Sequence, residues 1–193
     1  MGTLTLNTEA IEGFTDEQFF RFCVQNRDVR IERDSNKQIF IMPPTYSITG
    51  KYNASISTQL GIWNEKCKLR YCFDSNAGFT LPNTAMRAAD VAWISKERWD
   101  KLSKKEKDRF ANICPDFIIE LRSGSDVLKT LQDKMQEWMD NGCHLAWLID
   151  PDEEKVYIYR ENKTNDVISS FDNKVSGEEV LIGFELDLNK IKK

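Results

Sequence analysis

The spacing of apolar residues predicts two helices and a hairpin in the first third of the chain. Thr15, followed by Gln18 three positions later, is typical of a capped helix start, and this helix should run to about Asn26. Two short apolar runs flank residues 35–37, which indicates a β-hairpin. Apolar residues then recur at helical spacing over residues 50–67, so a second helix is expected there.

The rest of the chain alternates strand-like runs with helical stretches. Strands are expected near residues 69–74, 79–81, 89–95, 115–121 and 145–150, and helices near residues 101–110 and 126–140. The last strand–helix–strand unit predicts a crossover whose two strands are parallel. We therefore expect an α/β fold, a mixed β-sheet flanked by helices, in one domain that covers residues 1–193.

The cysteine and histidine content excludes several common kinds of site. The five cysteines are scattered and form no CxxC pair, so neither a zinc knuckle nor a disulfide framework is predicted, and buried free thiols are expected. A single histidine, His144, cannot build a multi-histidine zinc site. No glycine-rich phosphate loop of a standard pattern occurs. Chemistry in this chain must therefore come from carboxylates, lysines and hydroxyls.

Charge and hydropathy narrow the class of protein further. The formal net charge of −4 argues against a surface coated for DNA binding, but it leaves room for a local basic cleft. The basic segment at residues 101–110 is interpreted as a solvated helix face. No apolar run approaches the roughly 18 residues of a membrane helix, and the N-terminus lacks a signal-like core. We expect a cytoplasmic protein with no membrane contact.

One carboxylate, Glu120, interrupts the apolar run at residues 115–121. An ionised carboxylate in a buried strand is costly unless a basic side chain or a metal ion meets it. Asp90 opens the preceding apolar strand, so the two carboxylates can converge at one end of the sheet. Two like charges in contact repel each other, and a divalent cation relieves that repulsion. Ligation by oxygen atoms alone suits Mg²⁺ or Mn²⁺.

A lysine on the following helix can reach the same place. The apolar stripe of that helix consists of Leu128, Leu131, Met135, Trp138 and Met139. Lys134 lies at the edge of the stripe, where its stem can follow the sheet while its ammonium reaches the strand end near Glu120. Taken singly, Glu120 is equally compatible with a salt bridge, and Lys134 with a surface position.

The order of the segments ADVAWIS, PDFIIELRSGSD, a lysine-bearing helix, LAWLIDP, VYIYR and IGFELDL resembles the Uma-type endonucleases, members of the PD-(D/E)XK nuclease superfamily. The resemblance implies a restriction-endonuclease-like core with a metal-dependent phosphodiesterase site. It implies that Asp90, Glu120 and the main-chain carbonyl of Leu121 hold Mg²⁺ or Mn²⁺. It also implies that Lys134 holds the attacking hydroxide, and that Glu32 is a further ligand or a group that orients water.

Two positions depart from the family pattern. Arg122 stands where the usual superfamily lysine follows the glutamate by two residues, and arginine cannot act as a base although it can clamp a phosphate. Asn53 stands where many relatives have a histidine, which removes one phosphate contact or proton carrier. Ser123 and Ser125 either touch a phosphate or serve the turn before a helix cap at Asp126.

Three functions remain open at this point. The first is a divalent-metal-dependent DNA endonuclease, with DNA as its partner and a homodimer as one way to lengthen the contact and make two cuts. The second is a nuclease fold without catalysis, a binding or assembly protein in which Asp90, Glu120 and Lys134 form a structural salt-bridge cluster. The third is a carboxylate hydrolase that acts on a small substrate.

Overall fold

The described strands are arranged in three sheets. This computed structural model describes residues 3–67, 70–161 and 164–192. In chain order the strands are Leu4–Leu6 (β1), Arg30–Arg33 (β2), Ile39–Met42 (β3), Arg70–Phe73 (β4), Phe79–Thr80 (β5), Met86–Arg87 (β6), Val91–Ser95 (β7), Phe117–Leu121 (β8), Leu145–Asp150 (β9), Lys155–Arg160 (β10), Asp166–Ile168 (β11), Lys174–Ser176 (β12) and Glu185–Asp187 (β13). The sheet orders are β1-β3-β2-β6-β5, β11-β10-β9-β8-β7-β4 and β12-β13.

Helices cover both large sheets, so the predicted α/β class is confirmed. They are Asp16–Gln25 (α1), Ser47–Cys67 (α2), Lys96–Asp100 (α3), Lys104–Lys107 (α4) and Leu128–Asp140 (α5), with 3₁₀ turns at Glu9–Ile11 and Leu188–Ile191. The predicted capping box opens α1, because the Thr15 hydroxyl accepts the Gln18 N–H at 3.2 Å and the Gln18 side-chain oxygen accepts the Thr15 N–H at 2.9 Å. Among the described residues, no helix is long and apolar enough to cross a membrane.

The six-stranded sheet contains the predicted parallel pair. β8 and β9 run parallel and are joined through α5, while β7 lies antiparallel on the other side of β8. Every residue of β8 is buried, and its side chains alternate between two cores. Ile119 belongs to the core under α2, whereas Ile118 belongs to the core under α5. Because side chains two positions apart share a face, Glu120 points toward α5.

α5 places its predicted apolar stripe on this face of the sheet. Met135 and Trp138 are fully buried there, and Lys134 borders them. The helix ends at Asp140 with Asn141 as its C-cap, and Gly142 follows with φ of +99°. A side chain is strained at that angle, so glycine lets the chain leave the helix and enter β9.

Two predicted helix boundaries are wrong. The basic segment at residues 101–110 is not one helix, because Ser103 caps a separate single turn, α4, in a capping box with Glu106. The predicted helix cap at Asp126 is also absent. Val127 is the N-cap of α5, and the Asp126 carboxylate instead accepts the N–H of Ser123 at 2.8 Å within the preceding turn.

Three other predictions need smaller corrections: the start of α2, the burial of the thiols and the extent of one strand. α2 begins at Ser47, three residues before the predicted start at Gly50. The expectation of buried free thiols holds for Cys114 and Cys143, but Cys72 is exposed and the other two cysteines are half-buried. Of the strand predicted at 69–74, residue 69 lies outside the described residues, and the remainder forms β4.

Candidate active site

Asp90 and Glu120 lie opposite each other at one edge of the six-stranded sheet. The β7–β8 register pairs Val91 with Ile119, so the next pair outward is Asp90 and Glu120. The Asp90 carboxylate turns onto the end of β8, where Oδ2 accepts the main-chain N–H of Leu121 at 2.8 Å. In an extended strand the N–H and C=O of one residue point to the same side, so the Leu121 carbonyl is also directed toward Asp90.

The buried carboxylate of Glu120 meets two donors from α5. Its Oε1 lies 2.8 Å from the Lys134 ammonium and accepts the indole N–H of Trp138 at 3.0 Å. Within the described part of the chain, no side chain donates to its other oxygen, Oε2. One oxygen therefore anchors Glu120 to the helix, and the second is left for a ligand.

Lys134 connects the two large sheets. Its ammonium also lies 3.0 Å from Oε1 of Glu32 on β2, and it donates to the main-chain carbonyl of Ala88 at 3.3 Å. The lysine side chain is 13 % exposed, and both carboxylates are more deeply buried. The structure thus brings Glu32, Asp90, Glu120 and Lys134 together, although residues 32 and 134 are far apart in the sequence.

Glu32 is surrounded by positive charge. It contacts Arg87 at 3.3 Å, accepts the main-chain N–H of Ala88 at 3.2 Å, and lies 3.9 Å from Arg30. Burial raises the pKa of Glu32, but Lys134, Arg87 and Arg30 together outweigh burial and bring the pKa below its ordinary value. Glu32 is therefore ionised, and it holds the lysine in place.

Glu120 has the opposite electrostatic balance. Burial raises its pKa to about 7, and the attraction of Lys134 is countered by repulsion from Asp90 and Glu32. For Lys134 itself, burial lowers the pKa, but Glu120 and Glu32 outweigh burial, so the pKa lies above the ordinary lysine value. Lys134 thus stays a charged donor, and Glu120 is the group in this cluster that exchanges a proton near neutrality.

Three further polar side chains in the site were not predicted as site residues. Asn53 donates to Asp90 Oδ1 at 3.3 Å, Arg30 lies 3.6 Å from the same oxygen, and Arg87 bonds Glu137 at 2.6 Å. The sequence singled out Asn53 only as a missing histidine. A signal for Arg30 exists, since positions 30 and 32 share a face of the same strand.

Arg122 and the serine turn lie beside the site and bond within the turn or to β9. Arg122 donates to Asp150 at 2.5 Å, and Asp150 also accepts the N–H groups of Asp152 and Glu153, which closes the end of β9. The hydroxyls of Ser123 and Ser125 lie 3.3 Å apart. These contacts fit the turn interpretation of the serines and leave Lys134 as the cation at Glu120.

The oxygen atoms around Asp90 form a set that hard divalent cations prefer. Across residues 3–67, 70–161 and 164–192, no group of three or more His, Cys, Asp or Glu side chains is arranged to hold a metal. Two carboxylates are present, however, with the Leu121 carbonyl beside them. Oδ1 of Asn53 is buried without a hydrogen-bond partner. An amide oxygen that lacks a donor is a suitable ligand for Mg²⁺ or Mn²⁺.

A concave surface lies at the opposite end of the same sheet. It encloses about 440 Å³, and its lining includes Asp116, His144 and Glu161. Asp116 bonds Arg98 at 2.6 Å, and His144 bonds Glu161 at 2.7 Å. Asp116 and Glu161 already have partners, so the paired carboxylates at Asp90 and Glu120 are the stronger candidate for chemistry.

Comparison with known proteins points in the same direction. Residues 16–189 match the family model Uma2, described as "Putative restriction endonuclease". One matching solved structure is titled a "putative nuclease belonging to DUF820" from Anabaena variabilis ATCC 29413; it is 19% identical, with a TM-score of 0.70 over 83% of this chain and 88% of that one. No curated protein matches the sequence. The solved structure shows that the fold is restriction-endonuclease-like.

Proposed function

The chain belongs to the Uma2 family, whose model is described as "Putative restriction endonuclease", and we propose that it is a divalent-metal-dependent endonuclease that hydrolyses DNA phosphodiester bonds. The observation that carries the proposal is the meeting of Asp90, Glu120 and the Lys134 ammonium at one sheet edge. A nuclease needs acidic oxygens to hold a cation and a positive group beside the reacting phosphate. All three lie within one small, largely buried cluster.

The donor atoms fit a hard divalent cation. Asp90, Oε2 of Glu120 and the Leu121 carbonyl would hold Mg²⁺ or Mn²⁺, and the unpartnered Asn53 oxygen is available to the same ion. A cation bound there supplies Lewis acidity toward a phosphate oxygen and lowers the pKa of water.

The protein's own residues orient and stabilise the reacting groups. Trp138 fixes one oxygen of Glu120, so the other oxygen keeps its direction. Lys134 stays protonated because Glu32 and Glu120 raise its pKa, so it acts as a donor to developing negative charge and not as a base. Glu32 holds that ammonium at 3.0 Å, so the lysine would stay in the site if a cation weakened its contact with Glu120.

Asp90→Asn is expected to weaken Mn²⁺ binding more than about tenfold and to stop plasmid nicking, because a carboxylate ligand loses its charge. Titration calorimetry with Mn²⁺ and a supercoiled-plasmid assay measure the two effects. The control is Asp133→Asn, which removes an exposed carboxylate of α5 that is 64 % exposed and paired with Lys129.

Wild-type protein that neither binds Mn²⁺ nor nicks plasmid would contradict the proposal. The carboxylates would then be satisfied by Lys134 and Arg30, and the nuclease fold would serve binding or assembly.

We further propose that the active form is a homodimer, because two sites are needed to cut both strands in one encounter. Sedimentation of the protein with and without a DNA duplex tests this arrangement.

Mn²⁺ affinity is expected to fall as the pH drops through about 7, because the Glu120 proton must leave before the carboxylate binds a cation. The pKa of this acid is raised, so the group is protonated below about 7 and ionised above it. The apparent affinity should fall by up to about tenfold per pH unit below that point and level off above it. Calorimetry between pH 6 and 8 measures the effect, because a range of about two pH units covers the titration of one carboxyl group. The Glu120→Gln variant should lack this pH dependence of Mn²⁺ affinity.

A further inference from the structure

We propose that Arg30 binds the phosphate group of the DNA strand at the cleavage site. The proposal rests on the proposed nuclease function and adds to it a residue that contacts the substrate. Arg30 lies on β2 beside the candidate metal ligands, in a position that the sequence pattern did not single out.

Arg30 lies near two carboxylates but forms a close ion pair with neither. Its guanidinium is 3.6 Å from Asp90 and 3.9 Å from Glu32, whereas charge-assisted bonds are normally about 2.7–2.9 Å long. Its one short contact is a bond of 2.9 Å to the main-chain carbonyl of Ala88. In the described part of the chain, its Nε is buried and has no partner.

Other arginines of similar exposure behave differently. Arg98 is 33 % exposed and bonds Asp116 at 2.6 Å, while Arg30 is 34 % exposed and keeps its carboxylates at a distance. Arg87, which also borders Glu32, bonds Glu137 at 2.6 Å. Arg30 therefore has donor capacity left over, and because its Nε is buried, a ligand from solvent would reach the Nη end of the partly exposed guanidinium.

The charges of the cluster leave a place for an anion once a cation is present. The cluster contains four carboxylates and three basic groups, namely Glu32, Asp90, Glu120 and Glu137 with Arg30, Arg87 and Lys134. With all of them ionised, one negative charge is in excess. A divalent cation converts this to one positive charge, which a singly charged phosphodiester neutralises. Arg30 provides the planar pair of donors that suits phosphate oxygens.

Arg30→Gln tests the proposal through DNA binding and its dependence on salt. Binding of a fluorescent DNA duplex, followed by anisotropy with Ca²⁺ in place of Mn²⁺, should weaken about tenfold or more. The slope of log affinity against log salt should fall by about 0.9, the value for one lost phosphate contact. Arg30→Lys should keep most of the slope because it keeps the charge. The matched control is Arg98→Gln, at the opposite end of the sheet, which should change neither quantity.

Mn²⁺ calorimetry on the same variants separates this role from a structural one. If Arg30 binds phosphate, Arg30→Gln should bind Mn²⁺ as tightly as the wild type or more tightly, because a competing cation near Asp90 is gone. If Arg30 merely holds Asp90 in position, Mn²⁺ binding should weaken, and the proposal is overturned. Normal Mn²⁺ binding with an unchanged salt slope overturns the phosphate role alone. A wild type that binds no Mn²⁺ overturns the nuclease function and the phosphate site together.

Discussion

Glu120→Gln is expected to lower plasmid cleavage by at least about a thousandfold while the free energy of unfolding at pH 8 stays unchanged or rises. The loss of activity follows from the loss of a charged metal ligand, since such an ion stabilises transition-state charge by several kcal/mol. Stability is retained because burial disfavours the ionised carboxyl and raises its pKa to about 7. Glutamine can still accept the indole bond of Trp138, and Lys134 keeps its contact with Glu32.

The matched control is the carboxylate at the other end of the same strand. Asp116 is 4% exposed and precedes β8, where it accepts bonds from Arg98 at 2.6 Å and from the Ser95 N–H at 2.7 Å. Asp116→Asn should lose about 2 kcal/mol of stability, because asparagine cannot accept both bonds. Its cleavage rate per folded molecule should not change. If Glu120→Gln destabilises the fold as Asp116→Asn does, Glu120 is a structural salt-bridge partner and the assembly interpretation is favoured.

Trp138→Ala is expected to cost about 4 kcal/mol of unfolding free energy, the largest stability effect that we predict in the site. The indole is fully buried between α5 and the sheet, and the smaller side chain leaves a cavity that a packed core cannot close. Urea unfolding followed by far-ultraviolet circular dichroism measures the loss.

Trp138→Phe separates packing from hydrogen bonding at the same position. Phenylalanine keeps most of the volume but removes the donor to Glu120 Oε1, so we expect a loss of about 1–2 kcal/mol. The lost bond favoured the ionised carboxylate, so the pKa of Glu120 should rise further and Mn²⁺ binding at neutral pH should weaken. Equal losses in the Phe and Ala variants would show that the hydrogen bond, and not the packing, dominates.

Short-range patterns brought Asp90, Glu120 and Lys134 into one predicted cluster, and the family resemblance supplied the roles proposed for them. Asp90 and Glu120 each lie at the end of a strand. Lys134 lies at the edge of the apolar stripe of α5, and that stripe packs against the sheet. Periods of two and 3.6 residues determine these directions within a single element. The sequence therefore predicted a convergence that the structure contains, although the chemical roles of these residues still need the experiments above.

The polar groups around that centre could not be predicted in the same way. Arg30 and Arg87 reach the cluster from the five-stranded sheet, through a contact between β2 and β6 that pairs only Arg33 with Met86. Nothing local in residues 86–87 indicates a strand, because two residues cannot show a period. The separate helical turn in the basic segment, by contrast, could have been predicted, because Ser103 and Glu106 have the spacing of a capping box in the sequence.

Because Lys134 bridges Glu32 and Glu120, the order in which a ribosome makes the chain affects when the site exists. A nascent chain that carries Glu32, Asp90 and Glu120 still lacks the ammonium and the indole that α5 supplies. β9, which pairs beside β8 in the finished sheet, follows later still. The cluster is complete only after about three quarters of the chain has been made, a fraction set by the position of α5 among the 193 residues.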